Sequence, residues 1–293
     1  MSWKKFGMFL AFAFALSLTF SAVRAHAQQP LKFTTVDVAG ATETDCNDIN
    51  NNKIIAGTTY DSSGIGTGFT WNNGTVTTVT VSGATDTRVY GIDDAGDVVG
   101  WYTDSRGTTH GFEISASGAF TKIDPPGSTL TNAWSINNSG VIVGTFIGSA
   151  GSFQGFMLSG GSYTTITGPT GSTLTEVTGI NTAGNMVGIY NDGTQQHGFG
   201  LVNNNYTTID PPNSNTTASD RINDSNWIVG LYCPSSTCTA NVGPFSGYVK
   251  NPRYGRVTYP NSTETRVRGV NNLGIMVGRY TDTSGVIHGY RAQ

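Results

Sequence analysis

Ile136-Asn137-Asn138-Ser139-Gly140-Val141-Ile142-Val143-Gly144 reads as the end of one extended strand, a tight turn around Gly140, and the start of a second strand. Close copies stand at Ile180-Asn181 and Val270-Asn271, and Ile49, Ile92 and Ile222 open looser ones. The six openings are 42 to 48 residues apart. Such a period belongs to repeat architectures, in which one supersecondary unit buries its apolar face only by stacking on the next.

Each unit divides into four short β-type runs, all visible in the second copy. Arg88 to Asp93 is the first run, and Asp94-Ala95-Gly96 turns the chain into Asp97 to Thr103. A polar loop leads to His110 to Ser115, and Ser117-Gly118 turns into Ala119 to Asp124, which Pro125-Pro126-Gly127 ends. Four strands per unit of this length make a propeller blade. The last copy stops at Gln293 after three runs. Near the start, Phe33-Thr34-Thr35-Val36-Asp37 matches fourth runs such as Phe120-Thr121-Lys122-Ile123-Asp124 and Tyr206-Thr207-Thr208-Ile209-Asp210. A spare outer strand at one end and a missing one at the other predict ring closure, which removes the open sheet edges. The expected fold is therefore all-β: a six-bladed propeller of four-stranded blades, closed by the N-terminal strand and forming one domain over residues 28–293.

Lys4 and Lys5, the apolar run Phe6 to Val23 and the small-residue site Ala25-His26-Ala27 predict a signal peptide over residues 1–27. No other apolar run approaches the roughly 18 residues of a membrane helix, so a secreted or periplasmic product without a membrane span is expected. Losing Lys4, Lys5 and Arg24 leaves 13 basic against 19 acidic residues. That balance argues against nucleic acid as a partner. Of the three cysteines, Cys233 and Cys238 are close enough to clip one loop as a disulfide, and Cys46 is left as a buried thiol.

The Gly-turn-Val-Gly core, followed by His110-Gly111-Phe112, His197-Gly198-Phe199 and His288-Gly289-Tyr290, resembles the HAF-type extracellular repeat family. The motif degenerates to Gln154-Gly155-Phe156, Thr67-Gly68-Phe69 and Ser246-Gly247-Tyr248, and Gly replaces the family's middle Ala throughout. The resemblance implies secretion and a repeat fold, and it brings no catalytic residues.

The three histidines fall in alternate units, on third strands roughly 17 Å from the axis and on the order of 30 Å from one another, so no metal is assigned to them. Each ring is expected to pack beside its strand and bond a local carbonyl. Asp61, Asp104, Asp192 and Asp282 follow second strands as turn residues rather than Ca²⁺ ligands. Asp37, Asp124 and Asp210 are read the same way. No nucleophile elbow, phosphate loop or His-Glu zinc motif is present, and no cofactor is expected.

Comparison of the copies singles out two columns. Four residues before each anchor stand Asp45, Arg88, Asn132, Glu176, Ala218 and Arg266; two before stand Asn47, Tyr90, Trp134, Thr178, Asp220 and Arg268. Between them lie Cys46, Val89, Ala133, Val177, Ser219 and Val267, which period-two alternation assigns to the packing between blades. The two variable columns should line the mouth of the central channel, as a ligand site would. The stretch from Tyr232 to Gly247 is longer than its equivalents, such as Tyr102 to Gly111, and places the cysteine pair on that same face.

These features give a monomeric, non-catalytic secreted propeller that takes a small molecule, a glycan or a cell-surface partner at Asp45, Arg88, Tyr90, Asn132, Trp134, Glu176, Asp220, Arg266 and Arg268. Two alternatives stand beside it. One is an extracellular carbohydrate-active hydrolase or lyase using Glu176 or Asp45 as general acid or base. The other is a structural envelope or matrix component.

Overall fold

Glycines and asparagines at the turns, several with positive φ such as Gly140 (71°), cut the chain into short runs of β-branched and aromatic residues. In a computed structural model, which describes residues 30–149, 151–235, 238 and 243–293, these runs form six antiparallel four-stranded sheets. The expected signal peptide lies outside the described residues. Blades one to six have as inner strands Glu43–Ile49, Asp86–Ile92, Leu130–Ile136, Leu174–Ile180, Thr216–Ile222 and Glu264–Val270. In blade two the strands are Asp86–Ile92, Val98–Thr103, Thr109–Ile114 and Phe120–Ile123, each bound within two residues of its sequence expectation.

The ring closes as the ends of the chain predict. Phe33–Val36 pairs antiparallel with Ile287–Ala292, in register from Phe33 opposite Ala292 to Val36 opposite Gly289, and becomes the outer strand of blade six. Side chains fasten the seam. The Phe33 ring lies edge-on to Tyr259 at 5.1 Å and to Tyr290 at 5.5 Å, and Thr35 Oγ1 bonds the Tyr259 hydroxyl at 2.7 Å.

The core lies between blades. Cys46, Val89, Ala133, Val177, Ser219 and Val267 are all fully buried, as is the aromatic ring of nearly every His-Gly-Phe copy. The motif's middle glycine is explained by this packing. A Cβ on Gly155 would lie 2.6 Å from Val177 Cγ2, so the next blade's inner strand occupies the place of a side chain.

The anchor asparagine has two roles. Its carboxamide oxygen closes its own turn, as when Asn137 Oδ1 accepts from Ser139 N and Val141 N, both at 3.0 Å. Its Nδ2 donates to the next blade: Asn137 to Asn181 O (2.9 Å), Asn181 to Asn223 O (3.2 Å), Asn223 to Asn271 O (2.9 Å), Asn271 to Asn50 O (3.0 Å) and Asn50 to Asp93 O (2.9 Å). Asp93 keeps the turn bonds, to Gly96 N and Asp97 N, but has no Nδ2 to pass the chain on.

Every inner strand also carries a β-bulge two residues before its anchor, where the register jumps, for example from Ser219 to Arg221. Two residues there oppose one, so strict alternation fails and the two residues before the anchor both reach the axis.

Candidate functional site

The bulges aim Asn47, Tyr90, Trp134, Thr178, Asp220 and Arg268 from six blades into one cavity of about 450 Å³ at the channel mouth. Its floor is Arg221. This guanidinium donates from Nε to Asp48 Oδ2 at 3.1 Å, and its terminal nitrogens donate to the carbonyls of Asp220 (2.9 Å), Trp134 (2.7 Å), Thr178 and Tyr90. One side chain therefore ties blades one to five together and separates the upper cavity from a narrow, Asn-lined recess at the other end of the channel. The residues just before the anchors are Asp48, Gly91, Ser135, Gly179, Arg221 and Gly269. An acid and a base in a column otherwise small carry the signal, although strict alternation would place that column on the packed side with Cys46 and its equivalents.

The sequence-predicted residues divide into two groups. Tyr90, Trp134, Glu176, Asp220, Arg266 and Arg268 line the cavity; Asp45, Arg88 and Asn132 do not. Asp45 is buried against Arg279, whose Nη1 reaches both carboxylate oxygens at 3.1 and 3.2 Å. Arg88 bonds Asp86 at 2.8 Å and lies over the rings of Trp101 (4.6 Å) and Tyr60 (4.9 Å). Asn132 keeps a buried Oδ1 without a hydrogen-bond partner among the described residues. For Arg88 and Asp45 a second-strand side chain takes up the space: Trp101, opposite Arg88, lies against its guanidinium, and Arg279, opposite Arg266, holds Asp45. Asn132, opposite Thr145, has no such bulky neighbour across its sheet. Opposite Glu176 and Ala218 stand Ile189 and Leu231, which leave room. The cavity is thus displaced toward blades three to five, where Phe153, Leu174, Ile189, Gln196 and Leu231 complete its wall.

The wall has an aromatic part and a charged part. Tyr90 and Trp134 meet edge to face at 4.5 Å, and Trp134 Nε1 donates to Thr145 Oγ1 at 3.0 Å. Arg266 Nε donates to Glu264 at 2.5 Å and its guanidinium lies 4.6 Å over Phe245. Burial, then the nearby Arg279 and Arg268 cations, draw its pKa down to about 10. Arg268 pairs loosely with Asp220 at 3.5 Å. Burial, and then the charge of Asp220, push the Glu176 carboxyl up to about 7.

Cys233 and Cys238 form the expected disulfide. With Phe245 they pack on Ala218 and Leu231, two of the cavity's wall residues. Cys46 is free and fully buried, and burial raises its thiol pKa well above the usual range.

Two expectations about the outer rim are corrected. The histidines bond carboxylates, not carbonyls: Nδ1 of His110, His197 and His288 meets Asp124 (2.8 Å), Asp210 (2.7 Å) and Asp37 (2.8 Å). Asp37, Asp124 and Asp210 are accordingly histidine partners rather than turn residues. Nε2 faces Asp104, Asp192 and Asp282 at 3.3 to 3.5 Å, and these acids do also close their own turns, as Asp282 does with Val286 N at 2.9 Å. Two charged partners per ring outcompete a neutral carbonyl.

No protein-family profile matches the chain, and no curated protein sequence matches it either. Solved structures do. The AofleA protein from Arthrobotrys oligospora superposes with a TM-score of 0.55 over 88% of this chain and 85% of its own, at 10% identity. The Aleuria aurantia lectin, a six-bladed β-propeller that recognises fucose, gives 0.52 over 88% and 93% at 9% identity. The β-propeller domain of the Trilobed protease from Pyrococcus furiosus gives 0.53 over 86% and 94% at 8% identity. At such identities the likeness is one of fold, and this fold serves several chemistries.

Proposed function

We propose that the chain is a secreted, non-catalytic propeller of the HAF-type extracellular repeat kind that binds a glycan or a related small molecule in the mouth cavity. One observation carries the reading: a cavity of about 450 Å³ in which a faithfully repeated scaffold presents six different side chains, two of them aromatics meeting edge to face, beside paired charges. Aromatic faces with a few fixed polar groups suit a sugar's apolar ring face and its hydroxyls. The fucose-recognising propeller among its structural neighbours supports the choice of ligand class. The disulfide fits an oxidising compartment outside the cytoplasm. A glycan array on the purified chain is expected to show binding that a Trp134→Ala variant of unchanged thermal stability loses. Equal binding by both proteins would remove the cavity from consideration.

Glu176 gives the carbohydrate-active enzyme reading one favourable group, an acid half protonated near neutrality. Glycoside cleavage uses two carboxyl groups, and Asp220, the cavity's other acid, is engaged by Arg268. Binding is the better-supported reading. Release of reducing sugar by the wild-type chain, absent in Glu176→Gln, would reverse that order.

A further inference from the structure

Around the mouth, each arginine has its own carboxylate. Arg88 pairs with Asp86, Arg221 with Asp48, Arg266 with Glu264, Arg268 with Asp220 and Arg279 with Asp45. Glu176 is the acid left over: among the described residues it has neither a hydrogen bond nor an ion pair, although it lines the cavity. The charged groups sharing that cavity are Asp220 on the adjoining inner strand, Arg266 and Arg268 from blade six, and Arg221 in the floor. Arg221 and Arg266 are already committed, Arg268 is paired with Asp220 at 3.5 Å while its Nε has no hydrogen-bond partner among the described residues, and Asp220 is a second carboxyl group rather than a counter-ion. The same cavity is lined from blades two and three by Tyr90, Trp134 and Phe153. Desolvated aromatic faces attract cations through their quadrupoles, and an unpaired buried carboxylate gains most from a charged donor.

We propose that the mouth cavity takes a ligand bearing a protonated amine, an amino sugar in the carbohydrate reading on which this inference rests, with Glu176 as its counter-ion and the Tyr90, Trp134 and Phe153 rings as its apolar bed. A neutral N-acetyl group would leave the carboxylate as unpaired as before. The ammonium supplies the counter-charge that the fold does not place beside Glu176.

Calorimetric titration of the purified chain with oligomers of glucosamine and with their N-acetylated twins tests this directly, since the two ligands differ only at nitrogen. The free amine is expected to bind about tenfold tighter or more, the worth of one charge-assisted hydrogen bond. Glu176→Gln should bring the two ligands to within about twofold of each other. A second readout needs no variant. Glu176 is mostly protonated at pH 6, so amine binding should release about one proton there, read from buffers of different ionisation heat, whereas the N-acetyl twin should release none. Equal or tighter binding of the N-acetyl form, or amine binding without proton release, overturns the inference and leaves the carbohydrate reading standing. If neither oligomer binds and neutral glycans also fail on the array, both fall.

Discussion

Arg221 and Asp48, 173 residues apart in the chain, meet on the propeller axis with Nε and Oδ2 3.1 Å apart, joining two blades that do not adjoin in the ring. Both side chains are under a tenth exposed. Removing the arginine strands a buried carboxylate and four carbonyls. Arg221→Ala is therefore expected to cost about 3–5 kcal/mol in urea unfolding. The double variant Arg221→Ser, Asp48→Ser should recover much of that loss, because the other blades carry Gly or Ser in this column. A loss in the single variant below about 1 kcal/mol would mean that the ring holds without its central tie.

That pair also marks where sequence reasoning stops. Blade number, strand bounds and ring closure were legible because they rest on local turn chemistry and on copies that match one another. The packed column between the two variable ones, from Cys46 to Val267, was legible by alternation alone. Arg221 was not, because the bulge before it breaks the alternation used to assign faces, and blade five lacks the glycine that Gly91, Gly179 and Gly269 place in the equivalent bulges. The absence of Asp45, Arg88 and Asn132 from the cavity wall was equally hidden. For Arg88 it depends on Trp101, which stands opposite on the second strand where Glu176 has Ile189, and for Asp45 on Arg279 of blade six, comparisons across sheets rather than along the repeat.

Asp93 interrupts a circle of asparagines that otherwise passes from blade to blade. Its carboxylate closes its own turn, and burial, followed by the charge of Asp97, raises its pKa. Asp93→Asn keeps the acceptor, removes that charge and supplies the missing donor toward the carbonyl of Asn137. A gain of about 1 kcal/mol is expected in thermal or urea unfolding. The reverse change, Asn137→Asp, should lose a similar amount by breaking a second link. Destabilisation by Asp93→Asn would show that the circle is already complete in some other way.

The histidine clasps set a pH window. Burial favours neutral His197, but hydrogen bonds and charges from Asp210 and Asp192 outweigh it and raise the pKa; His288 is raised likewise by Asp37 and Asp282. Stability from a raised histidine is fully present below about pH 6.5 and is lost as pH climbs through the folded value. The partners Asp192 and Asp282 are depressed, chiefly by the hydroxyls of Thr194 and Ser284, so their contribution is present above about pH 4 and is lost in acid. The two windows overlap between about pH 4 and 6.5, where the melting temperature should be highest. Glu176, raised to about 7, acts in the same sense by losing stability as pH rises from its unfolded value. The clasps are therefore isolated by difference: His197→Gln, His288→Gln should flatten the decline above pH 6.5, and an unchanged profile would clear the histidines of any part in it.

The disulfide of blade five packs against the cavity wall at Ala218 and Leu231. Cys233 ends a second strand and Cys238 lies five residues on; with them packs Phe245, which supports the Arg266 guanidinium and sits on Ala218 and Leu231. A loop this short contributes about 2 kcal/mol through chain entropy. Cys233→Ser, Cys238→Ser should lower stability by about that amount, yet weaken ligand binding in the cavity disproportionately, because Arg266 and Leu231 lose the surface that orients them. Mild reduction of the wild-type chain should reproduce both effects. Under those native conditions a thiol reagent should label Cys238, which keeps some exposure, and spare Cys46, whose thiol is fully buried and held protonated. Labelling of Cys46 at the same rate would mean that the blades open widely enough to expose their packed faces, and the loss of binding would then report on the ring instead of on the loop.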